Sequence, residues 1–262
     1  MRSAQKVAAP TDPKRVSALV TGASRGLGRA IAQQLAARGV RVAVHFQKNR
    51  AAAKATRATL SGAGHALFAA DLSDAAQAER LWQEVIAAFG RVDVLVNNAG
   101  IYELHPPLTT TPAAWRAVWE RTLAANLLGP AQLSLFAAQA MAGRGGGRIV
   151  NISSRGAFRG ETNAPAYAAA KAGLNALGQS LAKALASQGV YVYGVAPGWI
   201  ETDMAAPHLH GSRREEILGD QPLGRVATTD EVARTVVFCA LDAPASMTGA
   251  IIDVNGASYL RT

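Results

Sequence analysis

The chain has 262 residues, of which 49% are hydrophobic and 17% charged; this is the balance of a globular protein and excludes a disordered one. No apolar run approaches the roughly 18 residues of a membrane span, and a single cysteine, Cys239 in an apolar segment, excludes an internal disulfide. The net charge of +9 comes from 27 basic and 18 acidic residues, but the cations are scattered and lack aromatic interleaving, so nucleic acid is not the expected partner and an anionic small ligand is.

Residues 1–15 are polar, contain Pro10 and Pro13 and lack an apolar signal region, so they read as a flexible leader on a cytoplasmic protein. A first strand at 16–20 runs into Thr21-Gly22-Ala23-Ser24-Arg25-Gly26-Leu27-Gly28 and then a helix that begins near Leu27 and covers 29–38. Glycines in such a turn let the backbone approach a pyrophosphate, and the helix start offers free N–H groups to it.

The second strand, 41–46, ends in His45-Phe46-Gln47-Lys48-Asn49-Arg50 with no carboxylate. NAD sites tend to place Asp or Glu there, against the adenosine ribose. Arg25 and Lys48 or Arg50 instead suit a 2′-phosphate, which favours NADPH; Arg50 is as well explained by solvation. A helix at 51–60, a strand at 65–69, Asp71-Leu72, a helix at 75–89 and a strand at 92–97 follow. That strand ends in Asn97-Asn98-Ala99-Gly100, and one long helix is expected over 115–142.

A strand at 147–152 leads to Ser153-Ser154, and a helix at 166–187 carries Tyr167 and Lys171. Four residues apart, these two side chains share a helix face about 6 Å apart along the axis. A free phenol titrates at about 10. A lysine charge about 4–5 Å from the phenolate is worth roughly 3–4 kcal/mol at an effective dielectric near 20. That attraction therefore permits Tyr167 to titrate at about 7–8. A strand at 190–196 with Pro197-Gly198, a helix at 230–241 and a strand at 250–254 complete the chain. Strand–helix alternation at this spacing predicts an α/β domain over 16–262, a doubly wound seven-stranded parallel sheet with helices on both faces and ligands beyond the strands' carboxyl ends. Two histidines, His208 and His210, have no third ligand nearby, so no metal is expected.

Taken together these motifs are similar to those of the short-chain dehydrogenase/reductase family, and within it of the 3-oxoacyl-acyl-carrier-protein reductase-like branch, from about Val16 to Tyr259. The resemblance implies a Rossmann fold and a catalytic tetrad of Asn126, Ser154, Tyr167 and Lys171. It also implies cofactor contacts from Gly22, Ser24, Arg25, Gly26, Leu27 and Gly28, from Phe46, Gln47 and Lys48, and from Asp71 and Leu72 beside the adenine. Asn98, Ala99 and Gly100 join them, as do Tyr167 and Lys171, and Pro197, Gly198, Ile200 and Thr202 beside the nicotinamide. Family spacing favours Ser154 over Ser153, and Asn126 is expected to hold a kinked helix and a water leading to Lys171.

The implied activity is NADPH-dependent reduction of a small-molecule carbonyl, a 3-oxoacyl thioester foremost, by a homo-oligomer, either dimer or tetramer. Val44-His45-Phe46-Gln47-Lys48-Asn49 also resembles pteridine reductases of the family, which usually carry Arg where this chain has Gly26. A non-catalytic nucleotide binder would have little reason to keep all four tetrad residues, and a nucleotide-sugar epimerase would need a longer C-terminal part. Three stretches depart from or add to the pattern. Asp253-Val254-Asn255-Gly256-Ala257 replaces the usual Val-Asp-Gly-Gly ending and is expected to matter only for packing or subunit contacts. Residues 155–165, with Arg159, Glu161 and Asn163, bind substrate or face solvent, and residues 203–220 are expected to form a lid.

Overall fold

The computed structural model describes residues 16–202 and 211–261, so the leader at 1–15, His208, His210 and the first part of the expected lid, 203–210, lie outside the described residues. Seven strands form one sheet: β1 (Ser17–Val20), β2 (Arg41–Phe46), β3 (Ala66–Ala69), β4 (Val94–Asn97), β5 (Gly147–Ile152), β6 (Val190–Pro197) and β7 (Ile251–Val254). They pair in parallel in the order β3-β2-β1-β4-β5-β6-β7. This is the single-domain Rossmann arrangement expected from the strand–helix alternation. The strand order reverses between β1 and β4, so the crevice for a ligand opens beyond their carboxyl ends.

Burial on both sides explains the nearly continuous apolar strands. Successive residues point to opposite faces. Ala18 and Val20 of β1 join a core with α1 (Gly26–Ala37) and α9 (Thr229–Val237), through Ile31, Leu35, Val232 and Val236. Leu19, between them, faces the other core with α3 (Ala75–Phe89) and α5 (Gly129–Ala142), through Leu81, Val85 and Leu133. A fully buried leucine such as Leu35 or Leu81 contributes about 2–3 kcal/mol. The remaining helices are α2 (Arg50–Ala58), α4 (Pro112–Leu123), α6 (Gly156–Arg159), α7 (Pro165–Leu185) and α8 (Gly211–Gly219).

Four of these helices start on a side-chain cap. Asn49 caps α2, Asp74 caps α3 and Thr111 caps α4, while Thr228 and Glu231 form a reciprocal capping box on α9. Helix α1 has no side-chain cap and no acidic residue in its first turn, which leaves its N-terminal N–H groups to the crevice.

The continuous helix expected over 115–142 is instead α4, a π turn at Ala124–Leu128, and α5. Pro130 lacks the N–H that an unbroken helix would direct at the carbonyl of Asn126. Gly129 packs so tightly that a Cβ there would lie 2.4 Å from the Leu72 carbonyl oxygen. The Gly129-Pro130 pair was the available signal for this break. The short α6 and the α8 helix, inside the expected lid, were not anticipated either.

The C-terminal turn is less remote than expected. Asn255 is buried, and its Cα lies 3.1 Å from where a Cβ on Gly198 would stand, so it backs the wall of the crevice. Ala257 takes the left-handed conformation at φ 62°, which costs a non-glycine residue about 1 kcal/mol or more.

Candidate active site

One cleft of about 390 Å³ opens over the carboxyl ends of β1, β4, β5 and β6. Its first wall is the turn between β1 and α1. Gly22 and Gly26 adopt φ values of 63° and 52°, and a Cβ on Gly28 would lie 2.2 Å from the Gly22 carbonyl oxygen. Only glycine permits that closure. The turn is held from behind by Asn98, whose Nδ2 donates to the carbonyl oxygens of Thr21 (2.8 Å) and Gly22 (3.2 Å). Thr21 Oγ1 in turn accepts from the N–H groups of Asn98 and Ala99, both at 2.9 Å.

His45 supports the same turn. Its Nδ1 accepts from the Gly22 N–H at 3.0 Å and its Nε2 faces the Ala70 carbonyl at 3.1 Å, which requires the neutral ring with the proton on Nε2. Burial pushes its pKa down to about 4, against a smaller opposing effect of the Ala70 carbonyl. The folded value is below the unfolded one of 6.5, so this contribution to stability is present above pH 6.5 and is lost as pH falls toward 4. The loss amounts to about 3 kcal/mol. Urea unfolding of the native chain and His45→Gln, compared at pH 7 and pH 4, should show the native protein losing about that much more; parallel losses would refute it.

Beyond β3, burial opposes ionisation of Asp71. Hydrogen bonds from Ser73 and Gln47 and the charge of Lys48 outweigh it, and the carboxyl sits below its ordinary value. The expected residues Gly22, Ser24, Arg25, Gly26, Leu27, Gly28, Phe46, Gln47, Asp71 and Leu72 all line the cleft. So do Asn98, Ala99, Gly100, Tyr167, Lys171, Pro197, Gly198, Ile200 and Thr202. Lys48 does not: it is exposed and stands beyond Gln47, near Asp71. Arg50 is the exposed first residue of α2, in keeping with the solvated alternative.

The other end of the cleft gathers Ser154, Tyr167 and Lys171. Ser154 Oγ accepts from the Gly156 N–H at 3.0 Å and is hydrogen-bonded to the Tyr167 hydroxyl. Ser153, the alternative, is buried and its hydroxyl meets no partner among the described residues. Tyr167 also packs edge-on against Tyr102, at 5.0 Å between ring centres.

Lys171 is 3% exposed and donates to the Ile152 carbonyl at 2.7 Å, with Nζ 5.7 Å from the centre of the Tyr167 ring. Burial lowers its pKa to about 8 and raises that of Tyr167 to about 12, with the Ser154 hydrogen bond opposing the latter. The phenol at about 7–8 that the pair's spacing permits is therefore not what the protein alone provides. Removing the phenolate from water outweighs the lysine's attraction, and the lysine's proton is directed at a backbone carbonyl.

Asn126 is fully buried in the π turn and does not line the cleft. Its Oδ1 accepts from the Ile101 N–H at 2.8 Å and its Nδ2 donates to the Ile101 carbonyl at 2.9 Å. The amide thus anchors the loop after β4 rather than reaching into the crevice. It lies beside Lys171: a Cβ on Gly100 would be 3.2 Å from Asn126 Oδ1 and 3.6 Å from Lys171 Nζ.

Tyr102 and Trp199 line the cleft without having been singled out from the sequence, and His45 and Arg155, which lay within stretches that were, line it too. Glu161 proves to line the cleft, whereas Arg159 pairs with Asp220 at 3.5 Å and Asn163 is engaged through its carbonyl by the His105 N–H. His105 is also new. Its Nε2 accepts from the Ala166 N–H at 3.1 Å and so caps α7 one residue before Tyr167, where Ala164 offers no side-chain cap. A contact across 61 positions leaves no local signal. Among the described residues no three His, Cys, Asp or Glu side chains lie together as a metal would need.

The donor set fits a dinucleotide. The uncapped start of α1 faces a glycine turn with no room for a Cβ at Gly28, which is what a pyrophosphate requires. No helix among the described residues is long and apolar enough to cross a membrane.

Comparison with known proteins agrees with this geometry. A family model described as Enoyl-(Acyl carrier protein) reductase matches residues 22–257. The 3-oxoacyl-(acyl-carrier-protein) reductase of Escherichia coli (strain K12) is 40% identical over 243 residues, which span 93% of this chain and 97% of that protein. The enzyme of the same name from Staphylococcus aureus (strain Mu50) is 38% identical over 246 residues, 93% of this chain and 98% of its own length.

Proposed function

Because the chain belongs to the short-chain dehydrogenase/reductase family, and is an oxidoreductase, we propose that it is an NADPH-dependent reductase of carbonyl compounds whose substrate is a 3-oxoacyl thioester. The observation that carries this reading is the meeting of Ser154, Tyr167 and Lys171 at one end of the cleft, with the Tyr167 hydroxyl hydrogen-bonded to Ser154. The substrate class rests on the names of the relatives in E. coli and S. aureus.

Bound NADPH would supply the hydride that reaches the carbonyl carbon. Its pyrophosphate would lie on the start of α1 and its 2′-phosphate beside Arg25. In the protein's part of the reaction, Tyr167 donates its proton to the substrate oxygen as negative charge develops there. Ser154 steadies the same oxygen by a hydrogen bond. A phenol held at about 12 is fully protonated at neutral pH, which suits the donor's task in reduction. Lys171, with a pKa of about 8, is still largely charged at pH 7 and favours the phenolate left behind. Asn126 fixes the π turn, and its own carbonyl, deprived of an α-helical donor by Pro130, is the acceptor that would hold a water on the path from Lys171.

We read the protein as a homo-oligomer, in keeping with Leu128 in the π turn and Leu135 on α5, large apolar side chains left exposed.

The test is cofactor consumption with acetoacetyl-coenzyme A and a panel of ketones. NADPH should be preferred over NADH, and Arg25→Ala should cut kcat/KM for NADPH by about 10- to 100-fold, the worth of one charge-assisted hydrogen bond, while sparing NADH. A preference for NADH would overturn the cofactor assignment. Absence of turnover with every ketone would overturn the reductase.

A further inference from the structure

The residue after Ser154 is unusual for its place. Arg155 is 3% exposed, and its backbone N–H is tied to the Pro197 carbonyl at 2.8 Å, which fixes it between the ends of β5 and β6. Its side chain lines the cleft alongside Ser154 and Tyr167. One of its terminal nitrogens, Nη1, is completely buried and meets no acceptor among the described residues. Burying a guanidinium with a donor unpaired is costly unless something completes it.

The surroundings say what kind of group would. Burial pushes the Arg155 pKa down, with Arg159 acting in the same direction and Glu161 and Asp220 opposing. Glu161 lines the same cleft, and its Oε1 would be 2.6 Å from a Cβ on Gly156. Arg159 and Asp220 pair with each other at 3.5 Å. Two cations face two anions, so the cluster is balanced before any substrate arrives. A carboxylate would unbalance it, whereas a neutral carbonyl oxygen would take the spare N–H and leave the charges even.

We propose that Arg155 is a specificity-determining residue: its guanidinium donates to a neutral carbonyl oxygen one methylene beyond the carbonyl being reduced, so the site selects 3-oxoacyl esters and thioesters over isolated ketones. This rests on the reductase reading above and adds a residue to it. Ser154 and Arg155 are consecutive, and a 3-oxoacyl compound offers two carbonyls in sequence, one for each.

The experiment compares the native chain, Arg155→Leu, Arg155→Lys and the double variant Arg155→Leu/Glu161→Gln, which spares Glu161 the loss of a counter-charge. Substrates are the N-acetylcysteamine thioester of acetoacetate, free acetoacetate, and hexan-2-one, which lacks the second carbonyl. Arg155→Leu and the double variant should lose about 10- to 100-fold in kcat/KM for the thioester and stay within about threefold for hexan-2-one. NADPH affinity by fluorescence should be unchanged, and Arg155→Lys should recover part of the loss.

Equal losses on both substrates, or none on either, would overturn the assignment. So would a native preference for free acetoacetate over the thioester. Binding of the 3-hydroxybutyryl thioester to the NADP complex, followed by calorimetry, reads Arg155 without turnover. An affinity that is the same in native protein and double variant overturns the inference. Arg155-dependent binding without any ketone reduction sinks the reductase reading instead and leaves the subsite standing.

Discussion

Replacing Tyr167 by phenylalanine is expected to lower kcat for ketone reduction by about 10²- to 10⁴-fold, the usual worth of a positioned proton donor, while NADPH affinity stays within a few-fold. The substitution removes a single oxygen. The ring keeps its edge-on contact with Tyr102 at 5.0 Å, so the fold around it has no reason to change. Ser154 loses its partner but keeps the Gly156 N–H at 3.0 Å. Lys171 keeps its bond to the Ile152 carbonyl. Steady-state turnover together with a fluorescence titration of NADPH separates the two effects. Undiminished turnover would exclude Tyr167 as the donor, and a parallel collapse of NADPH binding would point to a structural lesion instead.

Gly28→Ala should be the most damaging single methyl in the glycine turn after β1. The new Cβ would stand 2.2 Å from the Gly22 carbonyl oxygen and 2.6 Å from Asn98 Nδ2. The first of these is backbone and cannot step aside without opening the turn. The second is the amide that holds the turn to β4. Overpacking of this kind costs about 1–3 kcal/mol. If it falls on the bound state, NADPH affinity drops about 10- to 100-fold, and the melting temperature drops with it. Gly219→Ala serves as the control, because a Cβ there meets nothing within 4 Å and its φ is not positive. Equal NADPH affinity in Gly28→Ala and native protein would show that the turn tolerates opening and is not the phosphate site.

The legibility of the chain varied with the range of the interactions involved. The glycine turn, the β4 ending and the Tyr167–Lys171 spacing are local patterns, and the cleft assembles around them as expected. Gly129-Pro130 was also local and legible, yet the apolar periodicity on either side of it hid the break that became the π turn. Lys48 looked like a phosphate ligand by its place after β2, but the chain turns outward at Gln47 and leaves it exposed outside the lining. In residues 155–165 the sequence offered three polar side chains of equal standing. Folding divided them, with Glu161 in the cleft, Arg159 on Asp220 and Asn163 held through its backbone.

The sequence by itself determined the order of the seven strands, the glycine turn after β1 and the spacing of Tyr167 and Lys171 on one helix face, because each follows from backbone chemistry and side-chain spacing within a few residues. Only the tertiary structure decided what those groups experience. Burial set Tyr167 at about 12 and Lys171 at about 8, reversing the direction expected from their mutual charge alone. It also set Asn126 against Ile101, His105 under the start of α7, and Arg155 within the cleft with a proton to give. Desolvation and partner choice depend on which distant segments close over a group, and local spacing does not record them.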